Sequence, residues 1–150
     1  MIFIRSKNNP ILKPKTKNVW ENSKVYNPTV YYDGDVYHLY YRATSKKNIS
    51  SIGYAVSLDG ENFTRQDSPL LKPSFDQEIK GIEDPRITKV NNQYFMTYTA
   101  YDETTARLSI ATTKKLNVWH KNGFAFHIWN YKNSEGFNIL WDKARNTPNT

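Results

Sequence analysis

A chain of 150 residues, 38% of them hydrophobic, carries material for one ordinary core. It has no cysteine, which excludes disulfides and thiolate metal sites and fits a reducing compartment. The net charge of +7 invites nucleic-acid binding, yet six cations sit within residues 1–25 (Arg5, Lys7, Lys13, Lys15, Lys17, Lys24) against Glu21, the pattern of a solvated basic arm.

Met1-Ile2-Phe3-Ile4-Arg5 is too short an apolar run for a secretory signal. No stretch approaches the roughly 20 apolar residues of a membrane helix. The expectation is a cytoplasmic protein with neither nucleic acid nor membrane as partner. Homo-oligomerisation stays open.

Taken in chain order, Pro10-Ile11-Leu12-Lys13-Pro14 comes first, then Asn27-Pro28. Alternating β-branched and aromatic residues predict a strand over 29–33, and Asp33-Gly34-Asp35 supplies a hairpin turn. Strands follow over 36–43, 52–57 and 62–64, with Leu58-Asp59-Gly60 as a second turn. The order then starts again. Pro69-Leu70-Leu71-Lys72-Pro73 and Asp84-Pro85 lead into strands over 87–90, 93–101, 107–112 and 118–120, with Asn91-Asn92 as the tight turn. No window shows a convincing helical period.

The two segments align without a gap at an offset of 57: Pro28 with Pro85, Tyr37 with Tyr94, Tyr41 with Tyr98, Ala43 with Ala100. Ala55 with Ala111 and Phe63 with Trp119 continue it at 56. A period of this size marks a supersecondary unit that buries its face by stacking on its neighbour. Four antiparallel strands per unit describe a propeller blade, so the fold class is all-β, of β-propeller type. A jelly roll or immunoglobulin-like sandwich would lack the long-range repetition. The Tyr stripes (Tyr31, Tyr37, Tyr41, Tyr94, Tyr98) are expected in the blade core.

The sharpest motif is Gly81-Ile82-Glu83-Asp84-Pro85-Arg86, placed at the start of an innermost strand, where a propeller binds ligands at its channel mouth. Pro85 is expected to hold Asp84 extended, which sends Glu83 and Asp84 to opposite sides and sets Arg86 beside Asp84. Alone, an Asp-Pro-Arg is better explained by an Asx turn closed with a surface salt bridge. Asn27-Pro28 at the equivalent position of the preceding unit adds a second polar side chain at the same mouth, and strand-end Arg42 and Arg107 are expected nearby. No cluster of residues has metal-ligand spacing. His120 and His127 are assigned to surface or packing.

From Pro10 to about Gly123 the chain resembles glycoside hydrolase family 130. The pieces are Asn-Pro-Ile-Leu-Lys-Pro (9–14), Tyr-Asn-Pro-Thr-Val (26–30), Tyr-Tyr-Arg-Ala (40–43), Ile-Gly-Tyr-Ala-Val-Ser-Leu-Asp-Gly (52–60), Gly-Ile-Glu-Asp-Pro-Arg (81–86) and Tyr-Phe-Met-Thr-Tyr-Thr-Ala-Tyr (94–101). The resemblance implies a five-bladed propeller and inverting attack on a β-mannosidic bond. Asp84 becomes the general acid, its proton passing through a sugar hydroxyl. Asn27 and Arg42 contact the mannose, Glu83 and Arg86 line the substrate site, and Arg107 is the nearest match to a phosphate-holding arginine. No cofactor is implied, inorganic phosphate being a co-substrate of the phosphorylase members.

A phosphorylase needs cations to hold phosphate and no second carboxylate base, which favours it over the β-1,2-mannosidase alternative. The remaining alternative is a non-catalytic carbohydrate-binding propeller fragment. The expected organisation is a partial propeller over 1–123, with blades at about 9–66 and 67–123, and a divergent tail over 124–150. Two blades cannot close a ring, since propellers need at least about four. The chain is therefore expected to be a truncated or frameshifted remnant with an incomplete active site.

Overall fold

In the computed structural model of the chain, residues 6–125 are described, and their regular structure is all strand apart from a short 3₁₀ turn at Asp76–Glu78. One blade holds β1 (Lys24–Tyr32), β2 (Tyr37–Thr44), β3 (Ser50–Ser57) and β4 (Thr64–Arg65). The next holds β5 (Gly81–Val90), β6 (Gln93–Tyr101), β7 (Ala106–Lys115) and β8 (Val118–Phe124). Successive strands within each blade pair antiparallel. The protein is all-β with propeller-type blades. From residue 126 on, the segment read as a divergent tail, His127 included, lies outside the described residues.

Turn chemistry acts where the sequence places it. The Asp33 carboxylate accepts the backbone N–H groups of Asp35 and Val36 at 3.0 and 2.9 Å, closing the β1–β2 hairpin as an Asx turn. Asp59 does the same for Glu61 and Asn62. The inner strands begin earlier than expected, at Lys24 and Gly81, so both X-Pro pairs fall inside a strand rather than at its start.

Alternation along β2 and β3 sorts the core into two layers. Tyr40, Ile52 and Tyr54 pack toward Met96, Tyr98, Ala100, Ala111 and Trp119 of the second blade. Leu39, Tyr41, Ala43 and Ala55 turn the other way and are covered by Ile11, Leu12 and Trp20 of the N-terminal segment. Of the expected core tyrosines, Tyr41 and Tyr98 are buried while Tyr31, Tyr37 and Tyr94 are half-buried.

A buried acid recurs in each blade. Glu21, fully buried, accepts the Tyr41 hydroxyl at 3.0 Å and Arg65 Nη1 at 2.9 Å, and Arg65 Nη2 donates to the Lys13 carbonyl at 2.9 Å. Fifty-seven residues on, Glu78 accepts the Tyr98 hydroxyl at 3.1 Å and Lys121 Nζ at 2.6 Å, and Lys121 Nζ also donates to the Lys72 carbonyl at 2.6 Å. Each contact fastens one Pro-x-Leu-Lys-Pro segment to its blade. The second of these segments also bonds the first blade: Leu70 N–H donates to the Ile52 carbonyl at 2.8 Å and Ile52 N–H to the Leu71 carbonyl at 3.0 Å.

The blades otherwise meet backbone to backbone at a single parallel bridge, Ser50 to Gly81. Gly81 has φ +147°, and a Cβ there would lie 2.6 Å from that of Ser50, so only glycine allows this approach. The bridge sets the start of β5 beside the start of β3.

Candidate active site

The β1–β2 register runs from Tyr26 opposite Arg42 to Thr29 opposite Tyr40, so Asn27 and Pro28 together oppose one residue. The β5–β6 register slips in the same way between Glu83 and Arg86, leaving Asp84 and Pro85 as the extra pair. Both are β-bulges whose first residue is left-handed, Asn27 at φ 47° and Asp84 at φ 54°. Asn and Asp tolerate this region better than other non-glycine residues, and proline suits a bulge because its missing N–H is not needed there.

The expectation of an extended Asp84 is therefore wrong. The bulge demands a left-handed residue, and that demand overrides the bias imposed by the following proline. The second expectation falls with it, because Glu83 and Asp84 do not face opposite sides. Arg42 reaches across from β2 and touches both, Nη2 to Glu83 Oε1 at 2.5 Å and Nη1 to Asp84 Oδ1 at 3.4 Å. Asn27 Nδ2 donates to the same Asp84 oxygen at 2.8 Å. Four of the sequence-predicted residues, Asn27, Arg42, Glu83 and Asp84, thus form one connected cluster between the blades.

Asp84 keeps 37% of its side-chain surface open, against 15% for Glu83. Burial pushes the Glu83 carboxyl up from its ordinary range, the Arg42 guanidinium and the Ser50 hydroxyl pull it back, and the neighbouring Asp84 charge adds to the rise. One carboxylate is thus open to a ligand while its neighbour is held under cover on the same arginine.

Two predicted residues lie apart. Arg86 is exposed and donates to the adjacent Pro85 carbonyl at 2.7 Å instead of holding Asp84, because the bulge turns it out of register with its neighbour. Arg107 is 2% exposed and ion-paired with buried Asp102 at 2.7 Å, bracing the β6–β7 turn. Releasing a buried partner of this kind costs about 3–5 kcal/mol, so Arg107 serves this fold as a structural brace.

Sequence reasoning missed the residues around Arg42. Its guanidinium lies 4.8 Å from the centre of the Tyr26 ring, and its Nε donates to Ser50 Oγ at 3.0 Å. Thr44 Oγ1 is within hydrogen-bond reach of Tyr26 Oη (3.0 Å) and Ser50 Oγ (3.3 Å). A signal for one of these residues was present in the repeat, which has Glu83 where the first blade has Tyr26, as it has Thr99 where the first blade has Arg42.

The model of glycoside hydrolase family 130, described as beta-1,4-mannooligosaccharide phosphorylase, matches residues 3–145. The chain belongs to glycoside hydrolase family 130. The match runs past Gly123, where the resemblance in the sequence fades. A 1,2-beta-oligomannan phosphorylase of Thermoanaerobacter sp. (strain X514) is 41% identical over 129 residues, covering 79% of this chain and 44% of the relative. A beta-1,2-mannobiose phosphorylase of the same organism is 46% identical over 110 residues, covering 65% and 36%. Among solved family 130 structures, one reported with the finding that the family contains hydrolases targeting beta-1,2-mannosidic linkages in Candida mannan is 30% identical. It has a TM-score of 0.78 and covers 90% of this chain and 44% of that one. The chain thus spans less than half the length of the curated family 130 relatives it matches.

Proposed function

We propose that this chain carries the acid side of a β-mannoside phosphorylase site, which cleaves a β-mannosyl oligosaccharide with inorganic phosphate to give mannose 1-phosphate. The single observation that carries the proposal is the meeting of the two bulges: Asn27 and Asp84, one from each blade, 2.8 Å apart with Arg42 on the same carboxylate. Asp84 is the general acid, open enough to reach a sugar hydroxyl. Asn27 and Arg42 orient both it and the mannose, Glu83 holds Arg42 from the covered side, and Arg86 lines the rim. Phosphate attacks from the opposite face already anionic, so inversion needs no second carboxylate.

The phosphate role expected of Arg107 is not carried forward, because its guanidinium is spent on Asp102. A β-1,2 linkage is favoured over the β-1,4 linkage of the family description, since both Thermoanaerobacter phosphorylases act on β-1,2-mannosides by name. The proposal includes five blades. The 129 matched residues are 44% of the first relative, which makes it about 290 residues long, room for five units of the observed period. A cytoplasmic location, where phosphate is plentiful, belongs to the same proposal.

Two other readings have specific support. Hydrolysis of the same bond is favoured by the 30% identical structure, and carbohydrate binding without turnover by the partly exposed cluster of Asn27, Arg42 and Asp84, which can hold a sugar whether or not it is cleaved. Incubation with β-1,2-mannobiose, with and without phosphate, separates them. The expected result is phosphate-dependent mannose 1-phosphate. Free mannose made without phosphate supports the hydrolase, and binding without turnover supports the third reading. Asp84→Asn is expected to lower turnover by at least about 100-fold with the fold retained. Full activity in that variant would remove Asp84 from the chemistry.

A further inference from the structure

The geometry points to Tyr26 and Ser50 as positioning residues that hold Arg42 in the one orientation from which its two terminal nitrogens meet Glu83 and Asp84 together. The kinetic consequence rests on the phosphorylase proposal; the hold itself rests on geometry alone.

Arg42 is gripped on two sides away from the carboxylates. The Tyr26 ring lies against the guanidinium plane at 4.8 Å, and Ser50 Oγ takes the Nε–H at 3.0 Å. Thr44 Oγ1 joins the Tyr26 and Ser50 hydroxyls, which closes a ring of contacts around the side chain. Every nitrogen of the guanidinium is then engaged, Nε by Ser50, Nη1 by Asp84 and Nη2 by Glu83. Arginine is rich in rotamers, and its planar fork is effective only when its orientation is fixed. Freed from Tyr26 and Ser50, the fork is oriented across the blade boundary by the two carboxylates alone.

Two further observations separate this hold from ordinary strand packing. The second blade places Glu83 and Thr99 at the registers of Tyr26 and Arg42, so the pairing serves no need common to all blades. Ser50 is also the residue whose backbone bridges to Gly81 and whose N–H donates to the Lys80 carbonyl at 3.2 Å. One residue therefore sets both the entry of the strand carrying Glu83 and Asp84 and the angle of the arginine that meets them.

The test compares Ser50→Ala, Tyr26→Leu and the conservative Tyr26→Phe, each with circular dichroism as a check on the fold. The Nε–H resonance of Arg42, assigned by its loss in Arg42→Lys, is expected to be sharp and slow to exchange with solvent in the unaltered chain. It is expected to broaden or vanish in Ser50→Ala and Tyr26→Leu and to persist in Tyr26→Phe, which keeps the ring. With β-1,2-mannobiose and phosphate, kcat is expected to fall roughly ten-fold in the first two variants, with a smaller rise in KM, since the hold sets the arginine's orientation on Asp84 as well as on the mannose. A resonance that stays sharp in both variants, or kcat unchanged in both, overturns the inference. Failure of the phosphorylase proposal looks different: turnover survives Asp84→Asn, or the unaltered chain shows none, while the Arg42 resonance still reports the hold.

Discussion

Around Glu21 in the first blade and Glu78 in the second, the chain builds the same contact twice: a buried acid, a tyrosine from the second strand, a cation from the end of the blade, and a carbonyl of the Lys-Pro segment. At Asn27 and Asp84 the blades share a bulge and a left-handed residue, but one carries an amide and the other an acid. Only the first blade has the arginine that reaches both carboxylates, and only the second has the carboxylates. The repeated contact is what any blade needs to hold its connecting segment, so drift there destabilises every copy alike. At the bulges the repeat is free to differ, and the proposed site requires that it does, because ligand chemistry needs unlike groups facing each other.

The sharpest way to break this comparison is to exchange the two unlike groups. Asn27→Asp sets a second carboxylate oxygen where an N–H now donates to Asp84 at 2.8 Å, and its expected cost is about 1–3 kcal/mol of stability, with turnover down on the order of 100-fold. Adding Asp84→Asn restores one donor and one acceptor between the bulges. The melting temperature of the double variant is expected to return close to that of the unaltered chain. Turnover is not, since Glu83 and Arg42 still surround position 84 and not position 27. Recovery of both would show the positions interchangeable and would sink the functional asymmetry.

At the repeated contact the expectation is reversed, since both copies should respond alike. Glu21→Ala and Glu78→Ala each leave a half-buried cation without its buried acid, Arg65 in one and Lys121 in the other, and each is expected to cost about 3 kcal/mol in urea unfolding. A large effect in one blade and none in the other would contradict the equivalence. Arg65→Lys is a milder version of the same experiment. The second blade does this task with lysine, so the exchange is expected to cost about 1 kcal/mol or less, whereas Arg42→Lys at the mouth loses the two-carboxylate fork and the ring contact together.

Much of this was legible in the sequence because it rests on local rules. Asp33-Gly34-Asp35 and the alternation of β2 mark strands and a turn by themselves, and the spacing of Tyr41 and Tyr98 marks the repeat. The bulges were not legible. A proline biases its predecessor toward extended backbone, and only the paired register of the neighbouring strand shows that one extra residue must be absorbed there. The ion pair that engages Arg107 was not legible for a related reason. That arginine's place after a Tyr-Thr-Ala strand resembles an anion contact, but Asp102, five residues before it, claims the guanidinium once the β6–β7 turn closes. Ser50 lies in none of the motif pieces, Tyr26 only opens one, and their relation to Arg42 exists only across strands.

The smallest effect concerns the covered member of the carboxylate pair. Burial, outweighing Arg42 and Ser50, lets folded Glu83 keep its proton to higher pH than the unfolded chain does. The folded state then binds more protons over that interval, so the contribution of Glu83 to stability is greatest below the ordinary glutamate value of 4.5 and declines as pH rises through the folded value. Glu83→Gln has no such slope. Urea unfolding of the two proteins from pH 4 to 8 should therefore show the glutamine variant gaining relative stability with pH, by about 1 kcal/mol or less across the range. Thr99→Ala, at the register partner of Glu83 in the same blade, should leave the slope untouched. A glutamine variant that loses ground as pH rises would mean that Arg42, and not burial, governs this carboxyl, and that the cover over the mouth is thinner than the fold implies.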